Sequence, residues 1–233
     1  MDRKIILGVL TAAILGFVGV LLLMPPTIQD AVVRLPWRVT TDQMGRTQVF
    51  GFTLGKTTLG EVRKFFGEDG SINLFQAPDG PEPLGVEVFF EQVYLQSLRA
   101  DFIVTLDVSQ RTLAPMYERG LRISQMESGS KRVKLDPTDV ATLLASPIRT
   151  ITYLPHTRLS TEVIEKRFGA PAERRIEPET NVIHWLYPDR GFDIARNTKG
   201  KIVIQYVNRA DFSRLALPLA GAQTPADPGT APP

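Results

Sequence analysis

The chain has 233 residues, a formal net charge of +2 and no cysteine. The small net charge gives no general attraction to nucleic acid, and the lack of cysteine excludes disulfides, thiolate metal sites, cysteine nucleophiles and a lipidated cysteine. Hydrophobic residues make up 43% of the chain, which is enough for the core of one large domain or two small ones.

An uncharged apolar run, 5–24, follows a short N-terminal tail, 1–4. Its length matches the thickness of a bilayer, and it lies between Arg3-Lys4 and Pro25. No small-x-small cleavage motif follows it, so the pattern favours an uncleaved transmembrane signal anchor over a cleavable signal peptide or a buried core helix. We expect a bacterial inner-membrane protein that contacts the lipid bilayer through this run, with a cytoplasmic N-terminus and a periplasmic C-terminal domain.

Small residues recur at every fourth position of this run, at Gly8, Ala12 and Gly16. The spacing places them on one face of a helix, where they allow a second helix to approach closely and form a homo-oligomer. The alternative is that glycine and alanine are simply common in membrane helices. Both interpretations stay open at the level of the sequence.

Residues 25–46 form the expected juxtamembrane linker, and a folded module follows it. Trp37 in the linker is expected either near the lipid headgroups or in the first contact with the core. Thr58 is predicted to begin a helix because Glu61 follows at the spacing of a capping box. Gly67 is predicted to end that helix.

The first module, 47–120, has the pattern of an α+β unit. Apolar and β-branched runs predict one strand before the helix and a three-stranded antiparallel meander after it, at 47–52, 86–90, 93–98 and 102–108. A connecting hairpin and a short helix, the latter capped by Asp136, are expected over 121–149.

The second module, 150–214, repeats this plan. Ser160 is predicted to begin its helix and Gly169 to end it, and a hairpin turn is predicted at 197–200. The expected strands are 151–154, 181–187, 192–196 and 201–207. The predicted fold class is α+β: an N-terminal transmembrane helix followed by two tandem modules, each a helix plus a three-stranded antiparallel sheet. The Pro/Ala-rich tail, 215–233, is expected to be disordered.

A series of residues in the second module resembles a known family. It comprises Thr157, Ser160, Val163, Arg167-Phe168-Gly169-x-Pro171, Trp185-x-Tyr187 and Gly200-Lys201-Ile202-Val203. The series is similar to the α/β module of the SmpA/BamE-type lipoproteins of the β-barrel assembly machine and of the β-lactamase inhibitory proteins. The resemblance covers 150–207, and more loosely 47–108, and implies a tandem pair of modules that contacts another protein. The lipoproteins carry a lipidated cysteine, which this chain replaces with the apolar run.

The sequence contains no catalytic constellation, and no cofactor or metal is predicted. Gly51 and Gly55 are separated by three residues, whereas a phosphate loop needs four between its glycines. His184 has no second histidine or cysteine nearby to complete a metal site, and we expect it on the exposed face of its strand. His156 is expected to help cap the following helix. These features predict a protein that is not an enzyme.

Aromatic residues on neighbouring predicted strands form the candidate protein-binding surface: Trp185, Tyr187, Phe192 and Tyr206. Trp185 and Tyr187 share one face because strand positions alternate, and that face is either core or an exposed patch that anchors a partner. The expected function is a non-enzymatic, single-pass accessory that binds another envelope protein, and not nucleic acid. The alternative is a small-ligand-binding or hydrolytic domain with its site between the two modules.

Overall fold

The computed structural model describes residues 34–78 and 82–219. Within these ranges the α-helices are α1 (Leu59–Phe66), α2 (Gln110–Glu118), α3 (Pro137–Leu143), α4 (Thr161–Phe168) and α5 (Phe212–Ala216). The strands are β1 (Thr40–Thr41), β2 (Thr47–Val49), β3 (Phe52–Thr53), β4 (Ser71–Gln76), β5 (Leu84–Leu95), β6 (Leu98–Leu106), β7 (Arg122–Gln125), β8 (Lys131–Lys134), β9 (Ile148–Pro155), β10 (Glu173–Ile176), β11 (Ile183–Tyr187), β12 (Phe192–Arg196) and β13 (Ile202–Tyr206).

Ten of these strands form one antiparallel sheet in the order β10-β11-β12-β13-β9-β6-β5-β4-β8-β7. Strands β1, β2 and β3 form a separate small sheet. Strand β9 pairs with β13 on one side and with β6 on the other, so that Thr152 lies opposite both Gln205 and Ile103. The strands of the two predicted modules are therefore joined into a single sheet.

The predicted fold class was wrong in dividing the strands into two separate three-stranded sheets. Strands β1, β4 and β10 were not predicted, and the runs predicted at 86–90 and 93–98 belong mainly to the single long strand β5. The ladder between β5 and β6 shifts register between Phe90 and Val93, where Gln92 has a positive φ of 55°. This bulge interrupts the alternation of apolar and polar residues, which explains why one strand has the sequence pattern of two.

The transmembrane part of the predicted fold class is corrected as well. Across 34–78 and 82–219, no helix is long and apolar enough to cross a membrane. The predicted span 5–24, with Gly8, Ala12 and Gly16, lies outside the described residues. The first residues of the predicted disordered tail are helical, since α5 is followed by a 3-10 turn at Leu217–Leu219.

One hydrophobic core lies between one face of the large sheet and helices α1 to α4. Phe102 on β6 and Ile151 on β9 are buried together with Val62 of α1, Leu113 of α2 and Ile164 of α4. Trp37 also packs against this core, which places it in a core contact and resolves the two alternatives for that residue. The core is thus shared by strands and helices of both predicted modules.

Helix boundaries follow the local capping chemistry predicted from the sequence. The Thr58 side chain accepts a hydrogen bond from the Glu61 N–H, and the Glu61 carboxylate accepts one from the Thr58 N–H at 2.7 Å. Gly67 ends α1 with a left-handed φ of 71°. The Ser160 hydroxyl accepts a hydrogen bond from the Val163 N–H at the start of α4. These caps are confirmed.

The opposite face of the large sheet, termed the outer face, is covered at one end by the C-terminal segment. Leu186 of β11 is buried there against Val207, Phe212 and Leu219, in a cluster separate from the main core. Leu186 reaches this face because it alternates with Trp185 and Tyr187, which point into the main core. Both faces of β11 are therefore buried.

Candidate functional site

A cavity of about 650 Å³ lies on the outer face, where strands β6, β9, β13 and β12 adjoin. Its floor is a cross-strand row, with Asp101 opposite Leu154 and Val203 opposite Ala195. Leu154 and Val203 lie on adjacent strands, one position beyond the paired Tyr153 and Ile204. Asp101 belongs to the first predicted module and the other floor residues belong to the second, so the cavity lies at the junction of the two modules.

The base of the cavity is apolar and its rim is cationic. Leu154, Val182 and Val203 line the base, whereas Arg158 and Lys201 line the rim. Both cations are exposed, and neither forms an ion pair with any residue that the structure describes. Asn197 fixes the hairpin that carries Lys201, since its carboxamide oxygen accepts hydrogen bonds from the N–H groups of Lys199 and Lys201, each at 3.0 Å.

One end of the cavity carries a histidine–carboxylate pair. His156 Nε2 lies 2.9 Å from Asp101 Oδ1, and the same oxygen accepts a hydrogen bond from the Gln92 N–H at 2.8 Å. The bulge in β5 therefore holds the carboxylate that orients the imidazole. The expected capping role of His156 was wrong because Ser160 caps α4.

The floor row continues beyond Ala195 to His184, which lies opposite it on β11. His184 Nδ1 is 2.7 Å from Asp193 Oδ2, and His184 Nε2 is 3.2 Å from Glu177 Oε1. His184 is only 8% exposed, so the predicted exposed position was wrong. Arg175 is its other cross-strand neighbour and donates a hydrogen bond to the Leu219 carbonyl at 3.0 Å, which ties the C-terminal segment over this end of the sheet.

Burial and charge together set the pKa values of the His184–Asp193 pair. Burial alone lowers the pKa of His184, but the hydrogen bond and charge of Asp193, with those of Glu177, outweigh it and raise the pKa above the ordinary 6.5. Burial also raises the pKa of the Asp193 carboxyl, although the hydrogen bond from His184 acts in the opposite direction. The folded protein therefore holds protons at this pair more tightly than the unfolded chain does.

The four aromatic residues proposed as a binding surface lie inside the main core. Trp185, Tyr187, Phe192 and Tyr206 are each at most 4% exposed. The Tyr187 ring stacks on that of Phe192 with centroids 4.3 Å apart, and its hydroxyl donates to the Gly169 carbonyl at 2.8 Å. The exposed-patch alternative was therefore wrong, because α4 and its C-terminal turn cover this face of the sheet.

Two carboxylates central to these contacts were not found from the sequence. Asp101 and Asp193 each lie inside a strand between two apolar residues that enter the core. A charged side chain at such a position must emerge on the opposite face, and this alternation is the signal that could have found them. Their partners could not be found in this way, since His184 and Asp193 come together through the pairing of β11 and β12.

Metal binding has no preformed site in the described part of the chain. Within those residues, no group of three or more histidine, cysteine, aspartate and glutamate side chains is arranged to hold an ion. Both ring nitrogens of His184 are already hydrogen-bonded to carboxylates.

Comparison with known proteins assigns no family to this chain. No protein-family model matches it, and no curated protein matches it. It is similar to a solved structure, a DUF4309 family protein (YjgB) from Bacillus subtilis subsp. subtilis str. 168, with 14% identity and a TM-score of 0.35 over 70% of this chain and 88% of that one. A similarity at this level assigns neither fold nor function, and the resemblance to the SmpA/BamE-type module stays a prediction.

Proposed function

We propose that the chain is a non-enzymatic protein that binds a small ligand with an apolar body and one anionic group. The observation that supports this is the cavity on the outer face, which combines an apolar base with cations at its rim. Its volume of about 650 Å³ is within the range of small-molecule binding sites in proteins. The proposal takes up the alternative of a ligand site between the two predicted modules.

The charges around the cavity favour one orientation of such a ligand. Arg158 and Lys201 can each approach an anionic group, because neither is engaged in an ion pair with another described residue. Asp101 lies on β6, on the far side of the floor from the hairpin that carries Lys201. The Asp101 carboxylate repels the anionic group of the ligand. That group therefore lies toward Arg158 and Lys201, and the apolar body of the ligand covers Val203.

The side chains around the cavity favour binding over hydrolysis. Of the described residues that line the cavity, Thr157 is the one that carries a hydroxyl group, and none is a serine or a cysteine. His156 and Asp101 form a pair at one end of the cavity, but no serine or cysteine among the described lining residues can serve as the nucleophile that such a pair activates. His184, at the end of the floor row, is bonded to carboxylates through both ring nitrogens and is not free to act as a general base.

Calorimetric titration of the full chain with octanoate, octylamine and octanol tests the proposal. We expect octanoate to bind most tightly, because it alone combines the apolar chain with an anionic group. The double variant Arg158→Ala with Lys201→Ala should bind octanoate about tenfold more weakly, which corresponds to about 1.4 kcal/mol. The matched control is Lys64→Ala with Lys166→Ala, which removes two exposed cations from α1 and α4 and should leave the affinity unchanged.

Filling the cavity provides an independent test of where the ligand binds. Ala195→Trp places a large side chain on the cavity floor and should abolish octanoate binding while circular dichroism shows the native spectrum. Equal affinity for octanoate and octylamine would contradict the proposal, as would unchanged octanoate affinity in the Arg158 and Lys201 double variant.

A further inference from the structure

The last strand of the large sheet, β7, has a free edge among the described residues. It pairs with β8 through the register from Arg122 opposite Lys134 to Gln125 opposite Lys131, and it ends the order of the sheet. An edge strand leaves every second backbone N–H and C=O group without a strand partner. Such an edge can accept an added strand, with backbone hydrogen bonds for affinity and side-chain contacts for specificity.

One face of β7 exposes apolar side chains. Ile123 is 50% exposed although it lies opposite the fully buried Val133, and Leu121 is 56% exposed. These residues extend the core face of the sheet beyond the part that the helices cover. A strand added at this edge would bury Leu121 and Ile123 under its own apolar side chains, which is a favourable contribution proportional to the area removed from water.

The other face of the same edge is cationic. Arg122, Arg132 and Lys134 line an open cavity of about 410 Å³ together with Asn73 and Ser71. The three cations are exposed, and none forms an ion pair with a described residue. Arg122 and Lys134 are cross-strand partners, so two like charges lie side by side without a compensating anion in the described chain.

We propose that β7 binds an extended acidic segment of another protein by strand addition. In a strand the side chains alternate between faces, so acidic residues of the segment meet Arg122, Arg132 and Lys134 while its apolar residues cover Ile123. A second copy of this chain is a poor occupant, because antiparallel pairing through its own β7 brings a second Arg122 to a face that is already cationic. This edge site shares no residue with the cavity of about 650 Å³ on β6, β9, β13 and β12, and its ligand is a peptide segment and not a small molecule.

Fluorescence anisotropy with a labelled decapeptide of alternating valine and glutamate tests this proposal on the full chain. We expect this peptide to bind, and binding to weaken as the ionic strength rises from about 0.05 to about 0.5 M, because exposed charges are screened. A decapeptide in which lysine replaces glutamate should not bind. Equal binding of the two peptides would overturn the proposal.

Charge reversal at the edge identifies the surface that binds the peptide. Arg122→Glu with Lys134→Glu should weaken binding of the acidic peptide by at least about tenfold. The matched control, Lys64→Glu with Lys166→Glu on α1 and α4, should leave the affinity within about twofold of the original. Circular dichroism of each variant checks that the sheet is intact, and unchanged affinity in the folded edge variant would overturn the proposal.

Other occupants of the edge give distinct results. If a labelled single-stranded oligonucleotide of the same charge binds as tightly as the acidic peptide, the edge is a general polyanion surface and the proposal fails. If the chain dimerises with rising concentration and Ile123→Lys abolishes the dimer, the occupant is a second copy, and the proposal fails as well.

Discussion

At the scale of single residues, the contacts of His184 with Asp193 and Glu177 bring a buried imidazole and a buried carboxylate together. Asp193 is 3% exposed, and its Oδ1 atom has no hydrogen-bond partner among the described residues. A buried carboxylate with an unsatisfied oxygen is costly unless its partner is charged or it binds a proton. This explains why burial raises the pKa of the Asp193 carboxyl and why His184 favours its charged form.

These shifts predict that stability falls as the pH rises above neutrality. The pKa of His184 is raised on folding, so its contribution is fully present below 6.5 and is lost as the pH rises through the folded value. The raised pKa of Asp193 acts with the same sign, but its contribution begins to be lost at lower pH, above the ordinary value of 3.8. Urea unfolding from about pH 6 to about pH 9 should show this decline, and His184→Asn should flatten it. The same decline in His184→Asn would contradict the assignment.

Carboxyl groups whose pKa is lowered on folding do not change the free energy of unfolding between about pH 6 and about pH 9. The hydrogen bonds from the Thr58 N–H and hydroxyl lower the pKa of Glu61, and the guanidinium of Arg175 lowers that of Glu173. Their stabilising contributions are present above the ordinary carboxyl pKa and are lost only in acid.

Arg190 links the segment around Trp37 to helix α4 of the second predicted module. Its guanidinium donates hydrogen bonds to the carbonyls of Phe168 and Trp37, the latter at 3.0 Å, and lies 4.8 Å from the ring centroid of Phe192. Arg190→Lys should cost about 2 kcal/mol in the free energy of unfolding, since lysine lacks the planar fork that reaches both carbonyls.

The control for Arg190→Lys is Arg167→Lys. The Arg167 guanidinium lies 4.8 Å from the centroid of the Trp37 ring, and the lysine keeps a cation near that ring. This exposed contact should change the free energy of unfolding by less than about 0.5 kcal/mol. Equal effects of the two substitutions in urea unfolding would show that the carbonyl contacts of Arg190 are not stabilising.

At the scale of elements, local chemistry was sufficient to predict the caps and the strands β9, β11, β12 and β13, but not β10. The hairpin at 197–200 was predicted because Asn and Gly favour such a turn, and it joins β12 to β13. Strand β4 was not predicted, because half-buried Asn73 and Gln76 weaken its apolar pattern. The cavity could not be predicted at all, since its floor depends on the pairing of β9 with both β6 and β13.

Gly191 lies where three segments cross, and replacing it should be costly. It has a φ of +70°, and a Cβ atom there would lie 2.4 Å from the Val207 carbonyl oxygen and 2.6 Å from Thr47 Oγ1. Gly191→Ala should therefore destabilise the protein by at least about 3 kcal/mol, which combines a left-handed conformation with a backbone clash. Thermal unfolding measures the effect.

Gly129→Ala is the matched control because Gly129 has a φ of +82° but no atom within 4 Å of the added Cβ. It carries the conformational cost alone, about 1–2 kcal/mol. If the two alanine variants lose the same stability, the crossing at Gly191 is not as tight as these distances require.

At the scale of the whole molecule, the shared strand β9 predicts that both halves unfold together. The two tryptophans of the chain, Trp37 and Trp185, pack in the half that contains α4, whereas far-UV circular dichroism reports on the entire sheet. The two signals should give the same urea midpoint, as expected for a single cooperative transition. Separate midpoints would mean that the halves are independent domains despite the continuous sheet.

Backbone amide NMR during titration with octanoate locates the bound ligand on the molecule. We expect the amides of four residues that line the cavity to shift with one common dissociation constant: Leu154, Arg158, Ala195 and Val203. Amides of β7 should not shift. Saturable shifts at β7, or no saturable shift in the cavity residues at millimolar octanoate, would contradict the assignment of the cavity as the ligand site.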